Sequence, residues 1–221
     1  MELRAAIRGR RSIRKFKPDT VPREVVAEIM AEARWSPSWG NTQPWEFYVL
    51  TGRPLAEFKR RNYEKSLRGD LPEPDVPMPE QWPAALKGRY GELGRIVLET
   101  LGIPREDKEA RNRYYLGMTG LFDAPCLLVA CLPRELRMEY AMLDIGLITQ
   151  TICLAAYDRG LGSCIMAAAV VYADLLREIA GIPADRRTVL GIVLGYPDED
   201  YPLNHFPRPR VPERDFTHWV E

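Results

Sequence analysis

The chain has 221 residues, enough for one large domain with its own core, and is 46% hydrophobic and 28% charged, an ordinary globular composition. Thirty-one Lys and Arg balance thirty-one Asp and Glu. That neutrality argues against a general nucleic-acid or membrane-surface binder, which carries a basic excess, and residues 1–8 hold no apolar run suited to a signal peptide.

In chain order, residues 2–9 read as a short amphipathic helix with Leu3, Ala6 and Ile7 on one face. Next comes the densest cationic stretch, Arg10-Arg11-Ser12-Ile13-Arg14-Lys15-Phe16. Arg10 and Arg14 fall on one side whether the segment is helical or extended. Guanidinium groups so placed suit a phosphate, whose oxygens they meet two at a time, and Ser12 adds a neutral donor. A solvated basic surface is the competing reading. Pro22 suits a helix start, and Val25, Val26, Ile29, Met30 and Ala33 recur at helical spacing to about Trp35.

Residues 36–44, Ser-Pro-Ser-Trp-Gly-Asn-Thr-Gln-Pro, are broken by Pro37, Gly40 and Pro44 and predict a polar loop. Its amides and hydroxyls could meet a heterocycle edge, or the loop could be a plain connection. A strand is predicted over 45–50 and a helix over 54–67. Five prolines between Gly69 and Pro83 exclude helix and central strand there. Helical patterns resume at about 84–102 and 105–121, so 69–122 reads as a surface excursion of a single 1–221 domain. Residues 124–132 form the continuous apolar run of a buried strand.

Residues 137–159 predict the longest helix. It is apolar on nearly every face and hence buried all round, either at the centre of the fold or shared with a second subunit. Asp144, Thr149, Gln150 and Thr151 interrupt it, which argues against a membrane span. Gly160-Leu161-Gly162-Ser163 ends it. A helix over 174–181 and a buried strand over 188–196 follow. The proline-rich arm, 198–221, is expected to be extended, so Arg208 and Arg210 project the same way.

Cys126, Cys131, Cys153 and Cys164 form no CxxC and lie in apolar runs, as reduced core residues of a cytoplasmic protein do. With only His205 and His218, no zinc cluster is presented. There is no G-x-S-x-G, P-loop or G-x-G-x-x-G. Two arginine clusters suit one dianionic phosphate, and an enzyme without a reactive group of its own borrows a cofactor's chemistry.

The heptad, then 36–45, then Gly160-Leu161-Gly162-Ser163-Cys164, then Pro207-Arg208-Pro209-Arg210, together resemble the FMN-dependent nitroreductase family, in order over nearly the whole chain. The resemblance implies an α+β fold with a central, mostly antiparallel sheet and an intertwined homodimer with FMN at the interface. It implies that Arg10, Arg11, Ser12, Arg14, Arg208 and Arg210 hold the FMN phosphate, ribityl chain and pyrimidine edge. Pro37, Ser38, Trp39 and Asn41 would come from the other subunit, and Cys164, Ile165, Met166 and Ala167 would line the isoalloxazine. Ile165, Ala167 and Ala168 stand where many members have proline, an acidic residue and glycine, so a backbone donor survives there and an acidic side chain does not.

The implied activity is ping-pong reduction of a nitroaromatic or quinone-like acceptor by NADH or NADPH; Trp39, Tyr114, Tyr115 and Phe122 could stack an aromatic substrate, although core or surface packing is the favoured reading for each. Reductive dehalogenation and flavin fragmentation on the same fold, and a non-enzymatic anion binder, are the alternatives.

Overall fold

The computed structural model describes residues 2–221. Four strands, β1 (Glu46–Thr51), β2 (Cys126–Pro133), β3 (Gly162–Met166) and β4 (Arg186–Gly195), make one sheet in the order β1-β2-β4-β3. Every pairing is antiparallel, and a bulge between Ala130 and Cys131 shifts the β2–β4 register. Strands β2 and β4 lie in the middle, which is why their sequences are nearly continuous apolar runs: both faces are covered.

Side-chain alternation assigns the faces. Leu127, Val129 and Val193 pack with Leu55, Phe58 and Leu176, carried by α3 (Gly52–Arg68) and α7 (Ala173–Ala180). Leu128, Ile192 and Leu194 pack with Ile29, Ile148 and Ile152, carried by α2 (Arg23–Ala33) and α6 (Met138–Asp158). Each fully buried Leu, Ile or Phe contributes roughly 1.5–3 kcal/mol. The four cysteines are all free and buried. Burial pushes the Cys126 thiol up to about 12, and Cys131 to about the same value with the help of nearby Glu46 and Asp75.

The structure departs from expectation at both helices nearest the heptad. In α1 (Leu3–Gly9) only Ala6 is buried, while Leu3 and Ile7 face outward. Helix α6 is not buried all round. Ile145, Ile148 and Ile152 point into the fold, but Tyr140, Leu143 and Leu147 are 60%, 62% and 44% exposed. By length and composition α6 would pass for a membrane span, yet half of its most apolar stretch is covered, and it packs on α2, α1 and β3.

The excursion carries α4 (Ala84–Thr100) and α5 (Lys108–Thr119). Helix α4 buries only Val97, against Leu203 and Phe206 of the C-terminal arm. The proline-rich root is pinned instead by Asp75. Its carboxylate accepts from the Thr188 amide at 2.8 Å and the Thr188 hydroxyl at 3.0 Å, and pairs with Arg134 and Arg177. Burial works to raise its pKa, but the Thr188 and arginine contacts outweigh it and hold the carboxyl below the usual range.

Because the folded pKa is depressed, this contribution is fully present above the unfolded value near 4 and is lost as pH falls below it. Asp75→Asn should therefore destabilise by about 1.5–3 kcal/mol at neutral pH, the range for a charged hydrogen bond. The gap from wild type should close as pH drops below about 4. Urea titrations at pH 7 and pH 3 check both points; an unchanged gap at pH 3 would show that the charge is not what matters.

Candidate functional site

The heptad lies along the sheet edge. The Ile13 amide donates to the Ser163 carbonyl at 2.9 Å and the Lys17 amide to Tyr196 at 2.8 Å. Isolated bridges join Ser12 to Ser163 and Phe16 to Pro197. Ile13 and Phe16 are buried anchors. Glycine is what permits this approach: a Cβ on Gly162 would stand 2.5 Å from Ile13 Cγ1 and 3.0 Å from Pro197 Cγ.

Four arginines gather here. The Arg208 guanidinium donates to the carbonyls of Arg10 and Arg8. Arg11 Nη1 reaches the Asn204 carbonyl at 3.0 Å. Burial first, then repulsion from Arg11, Arg210 and Arg10, pulls Arg208 below the usual guanidinium value. Among the described residues, Arg10 Nε is buried without a hydrogen-bond partner. A cavity of about 530 Å³ opens beside Arg10 and Arg11, walled also by Gly162, Ser163, Asn204 and His205. Glu199 and Asp158 contribute to its rim. Ser12, Arg14, Cys164, Arg208 and Arg210 are not part of that wall.

Arg14 stands apart from the other arginines. Its guanidinium lies 5.1 Å from the centre of the Phe206 ring, a cation–π distance, and donates to the Ser12 carbonyl at 3.2 Å. Tyr114 sits beside it; burial pushes that phenol up while the Arg14 charge pulls against the shift. Tyr114 belongs to the small Val97–Leu203–Phe206 cluster, a packing role and not an open stacking surface. Phe122 likewise packs on the main core.

On the edge strand β3 and just beyond it, side chains alternate. Cys164 and Met166 turn inward, while Ile165 and Ala167 face out. Burial, the largest influence on Cys164, pushes its thiol up, so that residue can offer a ligand its backbone but no reactive sulfur.

The 36–44 loop is a self-braced turn. Gly40, Asn41 and Gln43 all have φ near +50°, a conformation that costs a residue with a Cβ on the order of 1–2 kcal/mol. The Ser38 hydroxyl accepts from the Gln43 amide at 2.9 Å, and Gln43 Nε2 donates to the Asn41 carbonyl at 3.1 Å. Pro37 leads into this turn. The loop is fastened to α6: Ser36 Oγ donates to Thr151 Oγ1 at 2.8 Å, the Trp39 amide donates to Asp144 Oδ1 at 2.9 Å, and the Trp39 and Tyr140 rings lie 5.6 Å apart.

The arginine group meets the other end of the same helix, where Tyr157 packs on Gly9 and lines the cavity. Asp144 and Tyr157 lie thirteen residues apart on α6, roughly 20 Å at about 1.5 Å per residue. One chain therefore brings the two arginine clusters and β3 together, and holds Trp39 at Asp144, thirteen residues along α6 from Tyr157.

Sequence reasoning missed Asn204, Phe206 and Asp144. Only Asp144 had a local signal: a lone carboxylate within an apolar helix needs a bonded partner.

With this architecture in place, the chain belongs to the Nitroreductase family, which it matches over residues 7–196. It is 35% identical over 203 residues to a 4-nitrobenzoate reductase of Nocardioides sp. (strain LMS-CY), covering 90% of this chain and 82% of the relative. It is 34% identical over 221 residues to a nitrobenzene nitroreductase of Ectopseudomonas oleovorans, covering 97% and 95%. Among solved structures it is similar to the FMN-dependent nitroreductase NfnB from Mycobacterium smegmatis in complex with NADPH, with TM-score 0.92, 28% identity and coverage of 99% and 97%. An FMN- and NADPH-dependent NfnB from sphigopyxis sp. strain HMH superposes with TM-score 0.95 at 27% identity, covering all of both chains.

The close heptad contact gives a direct expectation. Gly162→Ala should cost about 1–3 kcal/mol by overpacking. Gly88→Ala, on the open face of α4 with nothing within 4 Å, should be neutral or slightly stabilising. Thermal melts of both variants check this, and equal midpoints would mean the heptad is not held against Gly162.

Proposed function

We propose that this chain is an NAD(P)H-driven, FMN-dependent reductase of electron-poor aromatic compounds, with nitroaromatics as the leading acceptor class. The observation that carries the reading is the arginine group: Arg10, Arg11, Arg208 and Arg210 crowd together against their own repulsion, and Arg10 Nε is left unpartnered. Such a group fits a phosphate dianion, which removes the repulsion and accepts the idle donor. The outward, apolar Ile165 and Ala167 beside it fit one face of a flat ring.

FMN, when bound, would supply the two-electron redox chemistry between NADH or NADPH and the acceptor. The chain's own residues bind and orient. Arg10, Arg11, Arg208 and Arg210, with Ser12, hold the phosphate and ribityl end. Arg14, between Phe206 and Ser12 and close to Cys164, stands nearer the ring and is assigned to its pyrimidine edge. Cys164 and Met166 contribute backbone while their side chains anchor the strand.

The loop residues Pro37, Ser38, Trp39 and Asn41 belong to this site only if a second copy supplies them. The stripe Tyr140, Leu143 and Leu147 on α6 offers that copy an apolar face, and Trp39 lies on it. The working form is thus a homodimer with two shared sites. Four free, buried thiols suit a cytoplasmic setting.

Two arginine variants separate the roles. Among the described residues the Arg210 side chain donates only to the adjacent Pro209 carbonyl, so Arg210→Ala should leave the fold intact. It should weaken FMN roughly 10- to 150-fold, the worth of one charge-assisted contact, and leave riboflavin, which lacks the phosphate, unchanged. Arg14→Ala should weaken both flavins alike. Flavin fluorescence titration reads the outcome. A wild-type protein that takes up no FMN, or an Arg210→Ala variant that loses riboflavin as steeply as FMN, would contradict the assignment.

A further inference from the structure

Asn204 lines the cavity beside Arg10 and Arg11 but has no role yet assigned to it. It is 2% exposed and sits in the short turn Pro202–Asn204 of the C-terminal arm. A buried amide is tolerated when its two donors and its acceptor are all used. Here they are. Oδ1 accepts from the Arg14 amide at 2.7 Å. Nδ2 donates to the carbonyls of Lys15 and Asp198, both at 2.8 Å. Its backbone is engaged as well: the amide donates to Tyr201 at 2.9 Å, and the carbonyl accepts Arg11 Nη1 at 3.0 Å.

These bonds extend a short antiparallel pairing that holds a single bridge, Phe16 to Pro197. Residues 14–15 and 196–198 run together for a few residues, with Asp198 donating to the Lys15 carbonyl at 3.1 Å, and the Asn204 side chain completes the ladder. Two arginines are located by the same residue. Arg11 is tied to its carbonyl directly. Arg14 is held by its backbone at Oδ1 and its guanidinium rests on Phe206, two residues further along. Any shift of the Asn204 turn moves both cations.

We propose that Asn204 is a positioning residue of the cofactor site, fixing Arg11 and Arg14 relative to each other before ligand arrives. This rests on the FMN reading above. Its physical benefit is preorganisation: long arginine side chains ordered in advance lose less entropy when the anion binds. Asn204 need not touch the ligand; it acts through the two arginines.

The test is a mutant cycle on FMN affinity, using Asn204→Ala and the gentler Asn204→Ser, neither of which changes the charge. Each should raise the FMN dissociation constant about 10- to 100-fold in the wild-type background. In an Arg11→Ala/Arg14→Ala background the same change should add less than about 3-fold, because its effect is already gone.

Asn62→Ala is the control. Asn62 is also fully buried and donates to Thr119 at 2.7 Å, away from the arginines. Its effect should be small and equal in both backgrounds. If Asn204→Ala multiplies the constant by the same factor in both backgrounds, or leaves wild-type affinity unchanged, Asn204 is a structural residue and the proposal falls.

Should both Asn204 variants fail to fold, guanidinium NMR of the flavin-free wild type decides. Restricted rotation at Arg11 and Arg14 supports the proposal, and free rotation overturns it. That measurement needs no FMN. A wild type that binds no FMN yet holds both arginines still overturns the functional reading alone.

Discussion

The structure depends on one rigid spacing. Helix α6 fixes the 36–44 loop at Asp144 and Thr151 and meets the arginine segment at Tyr157. A helix cannot bend those ends together without losing its own backbone bonds. The loop is also stiff, with its left-handed residues braced by Ser38 and Gln43. Its polar groups are thus presented at a fixed place beside the N-terminal half of α6. The face of α6 alongside the loop is open and apolar at Tyr140, Leu143 and Leu147. A second copy packed on that face in the opposite sense would bring each loop to the other's arginines. On the proposed reading, assembly and cofactor binding would have a common cause.

The arginine group is the other half of the account. Four guanidiniums held close, one of them partly buried, are unfavourable without an anion. The fold meets that strain with packing and hydrogen bonds: Gly162 lets the heptad lie against β3, Ile13 and Phe16 anchor it, and Arg208 ties it back through the carbonyls of Arg8 and Arg10. Arg14 is diverted onto Phe206, away from the others. The division matches a ligand charged at one end and flat at the other. Cys164 illustrates the same logic in reverse, since its inward thiol is pushed up by burial and withdrawn from chemistry.

Much of this was legible in the sequence where burial is local. Strands β2 and β4 read as apolar runs because both of their faces are covered. The 36–44 loop and the proline-rich root announced themselves through Pro and Gly. The heptad was visible as a charge cluster. What was not legible was tertiary. Leu3 and Ile7 have helical spacing, but nothing local says that their face stays uncovered. Asn204 bonds to residues nearly two hundred positions away, and Asp75 to Thr188; such contacts leave no periodicity. The left-handed turn at Leu121, Phe122 and Asp123 hides in a pattern that reads as the end of a helix. The separation of Arg14 from Arg208 and Arg210 could not be read from spacing, because it is set by a ring on the C-terminal arm.

The claim that each site takes its arginines from one copy and its loop from the other is tested most directly by subunit complementation. One variant carries Arg10→Ala with Arg210→Ala; the other carries Trp39→Ala with Asn41→Ala. Alone, each homodimer has both sites damaged and should hold little FMN. Mixed and allowed to exchange, a heterodimer places both lesions in one site and leaves the other whole. The account predicts that bound FMN returns in the mixture, to one per heterodimer. If exchange is demonstrated and no FMN returns, arginines and loop act within the same chain, and the shared-site account is wrong.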